Sequence, residues 1–515
     1  MLRLPLGRQD FRTLRDDGLV YVDKTEHLCT IARAAKYNFL ARPRRFGKSL
    51  SVSTYAELYS GDRELFRGLW AYEHWDFAAR HSAVIRVDFS GAEFEENSLS
   101  HILHSTLDTQ AEKLRVDIAT RDERSPGERL RELIVRAADA SPSGKVVVLI
   151  DEYDKPIVHF LGEPERARAH RDALKGFYGV LKALDAELEF VFLTGVSAFS
   201  KVSLFSDLNN MTNLTFDPLA ATTVGLTEGE LDAYFDAGIR DHGVSRSELR
   251  HWYNGYRFSD VVEEKVYNPW SVLSFLRRGQ LESYWYETGT PTWLLDLMAA
   301  GGQIDFSGKT FDAGRLASFS IGNLDLVAVL YQTGYLTITD RDARRRGYRL
   351  DYPNYEVQLA FERQLLAAIT ADPGANTDLA YPLLDALEAG DVAGVIAVID
   401  ATLASIPYHL WDKHRERTYH IAVHVLFRVV GSHHRSEVAS ARGRADAIVE
   451  TDDHVFCFEF KVDGDAGAAL AQIRARGYLE PYADRPRERV AVGVSFDSAR
   501  RRVGAYEAEV LPEGE

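Results

Sequence analysis

Short apolar runs alternate with amphipathic segments over the first part of the chain. Four apolar runs predict β-strands at residues 38–41, 83–89, 145–150 and 188–194. Helical spacing of apolar residues is found between them, near 99–117, 126–140 and 165–185. Continuous apolar strands separated by helices are typical of a parallel sheet that helices cover on both faces. We therefore predict an α/β domain over residues 1–219.

From residue 220 the pattern becomes helical. Thr227 and Glu230 have the spacing of a capping box ahead of an apolar helix. Further on, the helix-like segment LDLVAVLYQTG leads into two strand-like segments, YLTITD and YRLDYPN. A helix followed by such a hairpin indicates a winged helix, which binds DNA in some proteins and only packs between domains in others. We predict a helical middle domain over 220–407 and favour packing for this segment.

A third unit is predicted over residues 408–515. Its pattern indicates a helix at about 412–430, then strands near 435–440, 444–450 and 455–461, a helix at about 466–482 and a strand at 490–496. Both strands and helices therefore contribute to this unit.

The amino-acid composition argues against several classes of protein. The chain has 515 residues, 45% of them hydrophobic, and a net charge of −16, which argues against a protein that coats nucleic acid non-specifically. Any contact with a polynucleotide must then be local. Cys29 and Cys457 are far apart, so neither a disulfide framework nor a cysteine metal site is indicated. No apolar run approaches the roughly 18 residues of a membrane helix, and we expect a cytoplasmic protein without membrane contact.

A phosphate-binding loop is suggested by FLARPRRFGKSL, residues 39–50. Such a loop needs backbone N–H groups that converge on phosphate, a lysine that reaches the β and γ phosphates, and a hydroxyl on Mg²⁺. Gly47, Lys48 and Ser49 supply the second half of the motif, but Arg42 stands where its first glycine is expected. Alone, this signal is weak.

Two further strands end in polar residues. KVVVLIDEYDKP ends in Asp151, which would lie near Mg²⁺ at the carboxyl edge of the sheet, and Glu152, which would polarise water. An ordinary apolar strand with an acidic turn is the alternative. About 100 residues separate Lys48 from Asp151, enough for an added strand between the two motifs. The strand at 188–194 ends near Thr194 and Ser197, which either sense the γ-phosphate or simply cap the strand end.

A second candidate site lies in GRADAIVETDDHVFCFEFKV, residues 443–462, where Asp446, Glu459 and Lys461 form a D-x12-E-x-K pattern. If Asp452 and Asp453 make a two-residue hairpin loop, Asp446 lies opposite Glu459 with their Cβ atoms about 5 Å apart. Carboxylates this close repel each other, so the pattern calls for a divalent cation, with the Phe460 carbonyl as a third oxygen. Lys461 would orient a bound water. A surface hairpin with a Glu–Lys pair is the alternative.

Seven segments together resemble the bacterial and archaeal AAA-ATPase-like family that carries a PD-(D/E)XK nuclease domain at its C-terminus. They are VYVDKT (20–25), RPRRFGKS (42–49), LIDEYDKP (149–156), TGVSAFSKVSLFSDLNN (194–210), WYNGYRF (252–258), YNPWSV (267–272) and LYQTGYLTI (330–338). The resemblance covers nearly the whole chain. Together with the patterns above, it indicates an α/β fold class: a P-loop NTPase parallel sheet, a helical middle domain in which the helix–hairpin segment is a candidate winged helix, and a C-terminal PD-(D/E)XK nuclease-like domain.

The resemblance also implies roles for individual residues. In that family the Arg-Pro-Arg-Arg-Phe-Gly-Lys-Ser loop is the usual form, so Arg42 does not count against nucleotide binding. The resemblance implies that Lys48 binds phosphate, that Ser49 and Asp151 bind Mg²⁺, and that Glu152 is the catalytic carboxylate. We expect the rest of the loop, with Thr194, to contribute to ATP binding: Arg44, Arg45, Phe46 and Gly47. At the nuclease site the family pattern adds Glu416 on the preceding helix and Gln472 on the following helix.

The leading hypothesis is an ATP-binding, ATP-hydrolysing protein that regulates or drives a nuclease dependent on Mg²⁺, with Mn²⁺ as a substitute, in defence, repair or mobile-element biology. DNA is favoured over RNA as partner, and a homo-oligomer is expected if an arginine finger comes from a neighbour. Arg257 is a candidate finger, although a structural arginine is the simpler reading. The alternatives are a nucleotide-switched nucleic-acid-binding scaffold with an inactive nuclease fold, and a nuclease with an inactive ATPase.

Overall fold

The computed structural model of the protein describes most of the chain. The described residues are 3–95, 98–121, 123–197, 210–285, 309–317, 321, 324–345, 347–372, 374–407, 415–430, 433–440, 443–484 and 486–512. Those up to Val357 form one compact unit, and those from Gln358 onward form a second. The three-domain division expected from the sequence, with boundaries after 219 and 407, stays a prediction.

A five-stranded parallel sheet forms the centre of the first unit. Its strands are β1 Tyr37–Ala41, β2 Ala83–Asp88, β3 Val146–Asp151, β4 Leu188–Gly195 and β5 Thr212–Asn213. They are arranged in the order β2-β3-β4-β1-β5, so β4 lies between β1 and β3. Every residue of β1 and β3 is buried, which explains their continuous apolar sequence. The predicted parallel α/β sheet, with an added strand between the two motifs, is confirmed.

Helices flank this sheet in the same part of the chain. They are Phe11–Asp16, Thr25–Ala34, Lys48–Tyr59, Trp70–His74, Leu99–Leu114, Pro126–Ala140, Lys155–Val158 and Pro164–Ala183, with 3₁₀ turns at Arg63–Phe66 and Pro218–Ala220. Ser125 and Glu128 form a capping box that starts one of the three predicted helices. Each predicted helix is therefore present, within a few residues of its expected bounds.

The remainder of the first unit is largely helical, as predicted. Its helices are Glu228–Asp241, Arg246–Tyr253, Pro269–Arg278, Ala313–Ala317 and Leu326–Thr333, and its short strands are β6 Asn254–Tyr256, β7 Val266–Tyr267, β8 Thr310–Asp312, β9 Thr337–Asp342 and β10 Gly347–Asp351. Thr227 and Glu230 form the expected capping box.

The helix–hairpin segment packs within its own unit. Helix Leu326–Thr333 precedes the antiparallel hairpin of β9 and β10, which β8 extends to three strands. The Phe216 ring, which follows β5, stacks on Tyr331 of this helix at 5.8 Å and on Tyr348 of β10 at 6.2 Å. Because these rings join the hairpin to the end of the parallel sheet, the contacts favour packing over DNA binding for this segment.

The second unit contains helices followed by a mixed sheet. Its helices are Tyr355–Thr370, which begins in the first unit, Tyr381–Glu388, Val392–Ser405, Arg415–Val429 and Ala466–Arg476, with a π-helical turn at Asn376–Ala380 and a 3₁₀ turn at Glu480–Tyr482. The sheet contains β11 His433–Ser440, β12 Gly443–Glu450, β13 His454–Val462, β14 Glu488–Asp497 and β15 Arg502–Leu511, in sequence order, and only β13 and β14 are parallel. Strand β15 was not predicted.

Both faces of β13 are covered by helices. On one face Phe458 packs against Phe427 of helix Arg415–Val429, with ring centroids 4.9 Å apart. On the other, Cys457 belongs to a buried cluster that includes Ile473 of helix Ala466–Arg476. This double coverage explains the nearly continuous apolar sequence of β13 and fixes the two helices that carry Glu416 and Gln472.

No helix in the described parts of the chain is both long enough and apolar enough to span a membrane.

We predict that Gly493 of β14 is required for the close approach of helix Ala466–Arg476. A Cβ atom at this position would lie 2.5 Å from the Leu470 amide nitrogen and closer still to the Ala466 carbonyl oxygen. Gly493→Ala is expected to lower the free energy of unfolding by about 1–3 kcal/mol, the usual cost of overpacking, in urea titrations followed by tryptophan fluorescence. Gly504→Ala is the matched control, because its Cβ would be 3.4 Å from the nearest heavy atom. Equal destabilisation by both variants would contradict the prediction.

Candidate functional site

The loop after β1 leads directly into the helix Lys48–Tyr59, as a phosphate loop requires. Gly47 is the N-cap of this helix and has φ 94°, a conformation that glycine adopts without strain. Arg45 has φ 68°, which is uncommon for a residue with a side chain and is found mostly where surrounding structure enforces it. The backbone amides at the helix start are thus directed toward the loop, where they can bind an anion.

Lys48, Ser49 and Asp151 lie together at the carboxyl end of the sheet. The Lys48 ammonium is almost fully buried and donates to the Pro43 carbonyl at 2.9 Å. Burial lowers the pKa of Lys48, against the opposing effect of the Asp151, Glu152 and Asp154 charges. Burial raises the pKa of Asp151 to about 6, and a hydrogen bond from Ser49 partly offsets this rise. A hydroxyl and a carboxylate in contact at this edge fit the donor set for Mg²⁺.

Glu152 follows Asp151 in a left-handed conformation with φ 51°. Its carboxylate is half-buried, lies 3.3 Å from the Lys155 ammonium and faces a cavity beside the phosphate loop. The position is compatible with the predicted role of Glu152 in orienting water, which stays a prediction.

The end of β4 is capped by its own hydrogen bonds. Thr194 is completely buried, and its hydroxyl donates to the Leu40 carbonyl of β1 at 2.9 Å. The Ser197 amide and hydroxyl donate to Asp154 at 2.8 and 2.6 Å. Of the two alternatives, these contacts favour the capped strand end, and a sensor role for Thr194 stays a prediction.

Arg42, which stands at the expected position of the first glycine, is buried and binds backbone carbonyls. Its side chain is only 1% exposed and donates to the carbonyls of Ala41, Thr215 and Ala220 at 2.8–2.9 Å. The guanidinium also lies 4.2 Å from the centroid of the Phe258 ring. Burial lowers its pKa to about 10, so it remains charged at neutral pH. Arg42 is therefore a structural residue that anchors the start of the loop.

The other loop residues differ in exposure. Phe46 is buried and packs edge-on against Tyr256 and Phe258, at 4.6 and 5.3 Å. Arg45 donates to the Tyr284 carbonyl at 2.7 Å and lies 4.2 Å from the Trp270 ring centroid. Arg44 is the exposed arginine of the loop. Its guanidinium is thus the more accessible of the two predicted phosphate-binding arginines.

A cavity of about 410 Å³ adjoins the loop from Arg44 to Ser51. Its other walls come from residues near 5–9 and 20–24, residues 223–226, and the helix Pro269–Arg278. Five lining residues are basic, namely Arg8, Lys24, Arg44, Arg45 and Lys48, and Glu152 is the acidic residue among the described lining positions. Lys24 is paired with Glu230 at 2.6 Å, so the other four basic residues make the site basic within a chain of net charge −16.

Some residues that line this cavity were not predicted from the sequence. Arg8, Lys24 and Trp270 line the cavity, yet none was assigned to nucleotide binding. Two of the segments that carry the family resemblance, VYVDKT and YNPWSV, contain Lys24 and Trp270. Those segments were the available signal.

The predicted hairpin register at the second site is confirmed. Pairs run from Glu450–Val455 to Ala447–Phe458, and the loop is formed by Asp452 and Asp453. Extending this register by one residue places Asp446 opposite Glu459. A carboxylate oxygen of Asp446 accepts a hydrogen bond from the Phe460 amide at 2.8 Å, which fixes Asp446 against β13.

Glu459 is a buried carboxylate with one oxygen unsatisfied. Its side chain is nearly inaccessible, and Oε1 accepts hydrogen bonds from Lys461, at 3.2 Å, and from Gln472. Oε2 is buried and has no hydrogen-bond partner among the described atoms. Burial raises the pKa of Glu459, and the Asp446 charge raises it further. A buried, unpaired carboxylate oxygen beside a second carboxylate fits a divalent cation.

Lys461 and Gln472 complete the cluster. The Lys461 ammonium donates to the Gln472 side-chain oxygen at 2.9 Å as well as to Glu459. Helix Ala466–Arg476 carries Gln472 and is held on the sheet by the close approach at Gly493. Four predicted residues, Asp446, Glu459, Lys461 and Gln472, are thus brought together from two strands and one helix.

The remaining predicted ligands are less defined. Glu416 lies on helix Arg415–Val429, but its side chain is outside the described part of the structure. Within the described residues, no group of three or more His, Cys, Asp or Glu side chains is arranged to hold a metal ion. A cation between Asp446 and Glu459 would therefore need further oxygen, such as the predicted Phe460 carbonyl or water.

Comparison with known proteins agrees with this two-part geometry. A family model described as "Predicted AAA-ATPase" matches residues 5–205, and a model of the PD-(D/E)XK nuclease superfamily matches residues 414–506. A protein of Azotobacter chroococcum mcd 1 described as "Uncharacterized protein in vnfD 5′region" is 38% identical over 526 residues, which cover 99% of this chain and 99% of that protein. No solved structure matches.

Neutralising Asp151 is expected to change how stability depends on pH. Its folded pKa of about 6 exceeds the ordinary 3.8, so the folded state binds the proton more tightly than the unfolded chain does. Protonated Asp151 therefore contributes its full stabilisation of the folded state below about pH 4, and this contribution is lost as the pH rises through about 6. In metal-free buffer near neutral pH, Asp151→Asn should therefore melt at a higher temperature than wild type. The gain in the free energy of unfolding should be on the order of 2–3 kcal/mol at most.

This difference should shrink as the pH falls toward about 4.5, where wild-type Asp151 is protonated. Asp452→Asn, at an exposed carboxylate of the hairpin loop, provides the control. Melting temperatures followed by circular dichroism across the pH range measure the effect. A difference between Asp151→Asn and wild type that stays constant with pH would rule out burial of this charge as its cause.

Proposed function

The chain belongs to the predicted AAA-ATPase family and carries a PD-(D/E)XK nuclease superfamily domain toward its C-terminus, and from this premise we propose an ATP-regulated nuclease. In this proposal the first unit binds and hydrolyses ATP, and the second cleaves phosphodiester bonds of nucleic acid with Mg²⁺ or Mn²⁺. The observation that carries it is Glu459, whose buried carboxylate has an unsatisfied oxygen beside Asp446 and Lys461. Such an arrangement is costly unless a cation neutralises it.

The nuclease residues have distinct proposed roles. Asp446 and Glu459 would hold the metal ion, which when bound supplies an acidic centre for the scissile phosphate and a water of lowered pKa. Lys461, fixed by Gln472 at 2.9 Å, would orient that water and offset negative charge that develops on the phosphate. Gln472 would position Lys461, since it touches both Lys461 and Glu459.

The nucleotide site supports the other half of the proposal. Five basic residues line a cavity next to the phosphate loop in an otherwise acidic chain, which suits a polyphosphate. Lys48 would bind phosphate, Ser49 and Asp151 would hold Mg²⁺, and Glu152 would activate water. Since hydrolysis of a phosphodiester needs no ATP, we assign the nucleotide a regulatory role toward the second unit.

The proposal extends to partner, location and assembly. We propose DNA as the preferred substrate and the cytoplasm as the location. Arg257 donates to the carbonyls of Ser259, Asp260 and Val262, so it is a structural residue of its own loop. An arginine from a second copy could then complete the ATPase site, which is the basis for proposing a homo-oligomer.

Replacing the metal-binding carboxylates is expected to abolish cleavage. Purified protein is incubated with single-stranded DNA, duplex DNA or RNA, with Mg²⁺ or Mn²⁺, with and without ATP. Asp446→Asn and Glu459→Gln should each lower the cleavage rate at least about 100-fold, the scale on which positioned electrostatic groups act. Asp453→Asn, at the exposed tip of the same hairpin, should cleave normally. Cleavage that survives Asp446→Asn would reject the site, and ATP hydrolysis without any cleavage by wild type would support the scaffold alternative.

Separate variants should divide nucleotide binding from hydrolysis. Lys48→Ala removes a charged contact to phosphate and is expected to weaken ATP binding about 10-fold or more. Glu152→Gln should keep binding but slow hydrolysis about 100-fold or more, as loss of a general base does. Fluorescent-nucleotide titration and phosphate release measure the two steps, with the exposed Lys182→Ala as control. Wild-type hydrolysis by Glu152→Gln would remove Glu152 from the mechanism.

A further inference from the structure

Glu356 is a buried carboxylate of the first unit that the proposed chemistry does not use. Its side chain is completely inaccessible, although it lies in the first turn of helix Tyr355–Thr370. Oε1 accepts hydrogen bonds from the Trp285 amide at 2.6 Å and from the Ser271 hydroxyl at 3.0 Å. Oε2 is buried without a hydrogen-bond partner among the described residues. Burial raises the pKa of Glu356 to about 7.

The two segments that Glu356 binds also contact Arg45 of the phosphate loop. Arg45 donates to the carbonyls of Tyr284 and Trp285, at 2.7 and 3.3 Å, while Glu356 binds the Trp285 amide. The Arg45 guanidinium lies 4.2 Å from the Trp270 ring, and Glu356 binds Ser271, the next residue along the chain. Removal of Glu356 would therefore loosen the segments that carry these three contacts of Arg45.

Trp285 also binds the backbone of the phosphate loop. The Trp285 indole donates to the Arg44 carbonyl at 3.2 Å, and the Trp270 indole donates to the Tyr284 carbonyl at 3.2 Å. Arg45 itself has a strained φ of 68°, which persists only where neighbours enforce it. Since Arg44 and Arg45 both line the nucleotide cavity, the shape of that cavity depends on where Trp285 lies.

Glu356 also lies at the point where the chain leaves the first unit. The helix that starts at Tyr355 ends at Thr370, and its residues from Gln358 onward belong to the second unit. The start of this helix is held by stacking of Tyr355 on His251 and by its edge-on contact with Trp252, at 5.0 and 4.8 Å. A change at Glu356 is thus a change in the first turn of the connecting helix.

We propose that Glu356 is a positioning residue that links Arg45 of the phosphate loop, through Ser271 and the Tyr284–Trp285 backbone, to the helix that leads into the nuclease unit. A triphosphate in the cavity competes with the Tyr284 and Trp285 carbonyls for the Arg45 guanidinium. When Arg45 leaves those carbonyls, Trp285 and Glu356 rearrange and the first turn of the helix follows. This inference rests on the proposed function and names the regulation of its nuclease.

The test measures coupling separately from activity. Glu356→Gln keeps the volume and one acceptor oxygen but removes the charge, and Glu356→Ala removes the acceptor altogether. In the full chain, each variant should cleave nucleic acid at the wild-type rate without nucleotide, while the change in rate that ATP·Mg²⁺ causes in wild type is lost. Hydrogen exchange of the peptide spanning 355–370 should respond to ATP·Mg²⁺ in wild type and not in either variant. Glu282→Gln, in the same segment and half exposed, is the matched control.

A double-mutant cycle tests the route through Arg45. If Glu356 acts through Arg45, the changes in ATP affinity caused by Arg45→Lys and Glu356→Gln should not add in the double variant. Additive changes would overturn the route, and so would an unchanged ATP response in Glu356→Gln. Thermal melts show whether Glu356→Ala is folded. If Glu356→Ala is not folded, the test is made with Glu356→Gln alone.

The proposed function can fail separately from this inference. If wild type binds no ATP in a Lys48-dependent manner, both are overturned. If wild type binds ATP but cuts no substrate, the nuclease proposal fails, while the exchange of residues 355–370 still decides the coupling. If wild type shows an ATP-dependent cleavage rate that Glu356→Gln retains, only the role of Glu356 is rejected.

Discussion

A buried guanidinium at the end of β1 holds the phosphate loop in place. Arg42 stands where a flexible glycine is expected, and it satisfies the carbonyls of Ala41, Thr215 and Ala220 while its Nε has no partner among the described atoms. Each buried carbonyl left unpaired would cost about 1–3 kcal/mol. The base of the loop is thus attached to residues that follow β5.

Buried carboxylates give the two candidate sites the same physical problem. Asp151 ends β3 and Glu459 lies on β13, and burial raises the pKa of both. At each site the nearby lysine also has a second partner: Lys48 donates to the Pro43 carbonyl, and Lys461 donates to Gln472 as well as to Glu459. At the proposed metal sites, a bound cation would remove this penalty.

Local patterns predicted most of the framework but not the contacts between distant segments. The apolar runs of β1 and β3 predicted the parallel sheet, and the expected two-residue loop at Asp452–Asp453 predicted the hairpin register. Strand β15 was missed because it is an edge strand with largely exposed residues, so its sequence shows no buried face. The role of Arg42 was also missed, since it depends on the carbonyls of Thr215 and Ala220, more than a hundred residues away.

The strength of the contacts at Arg45 suits a switch. Converting a two-state equilibrium almost completely requires a ligand to prefer one state by about 5.5 kcal/mol. Hydrogen bonds from a charged group to the carbonyls of Tyr284 and Trp285 contribute about 1.5–3 kcal/mol each, and the Trp270 ring about 1–2 kcal/mol. In the proposed exchange these contacts favour the nucleotide-free arrangement, so phosphate must bind Arg45 more strongly than they do. A loop with glycine in place of Arg45 would lack the contacts on which this proposed exchange depends.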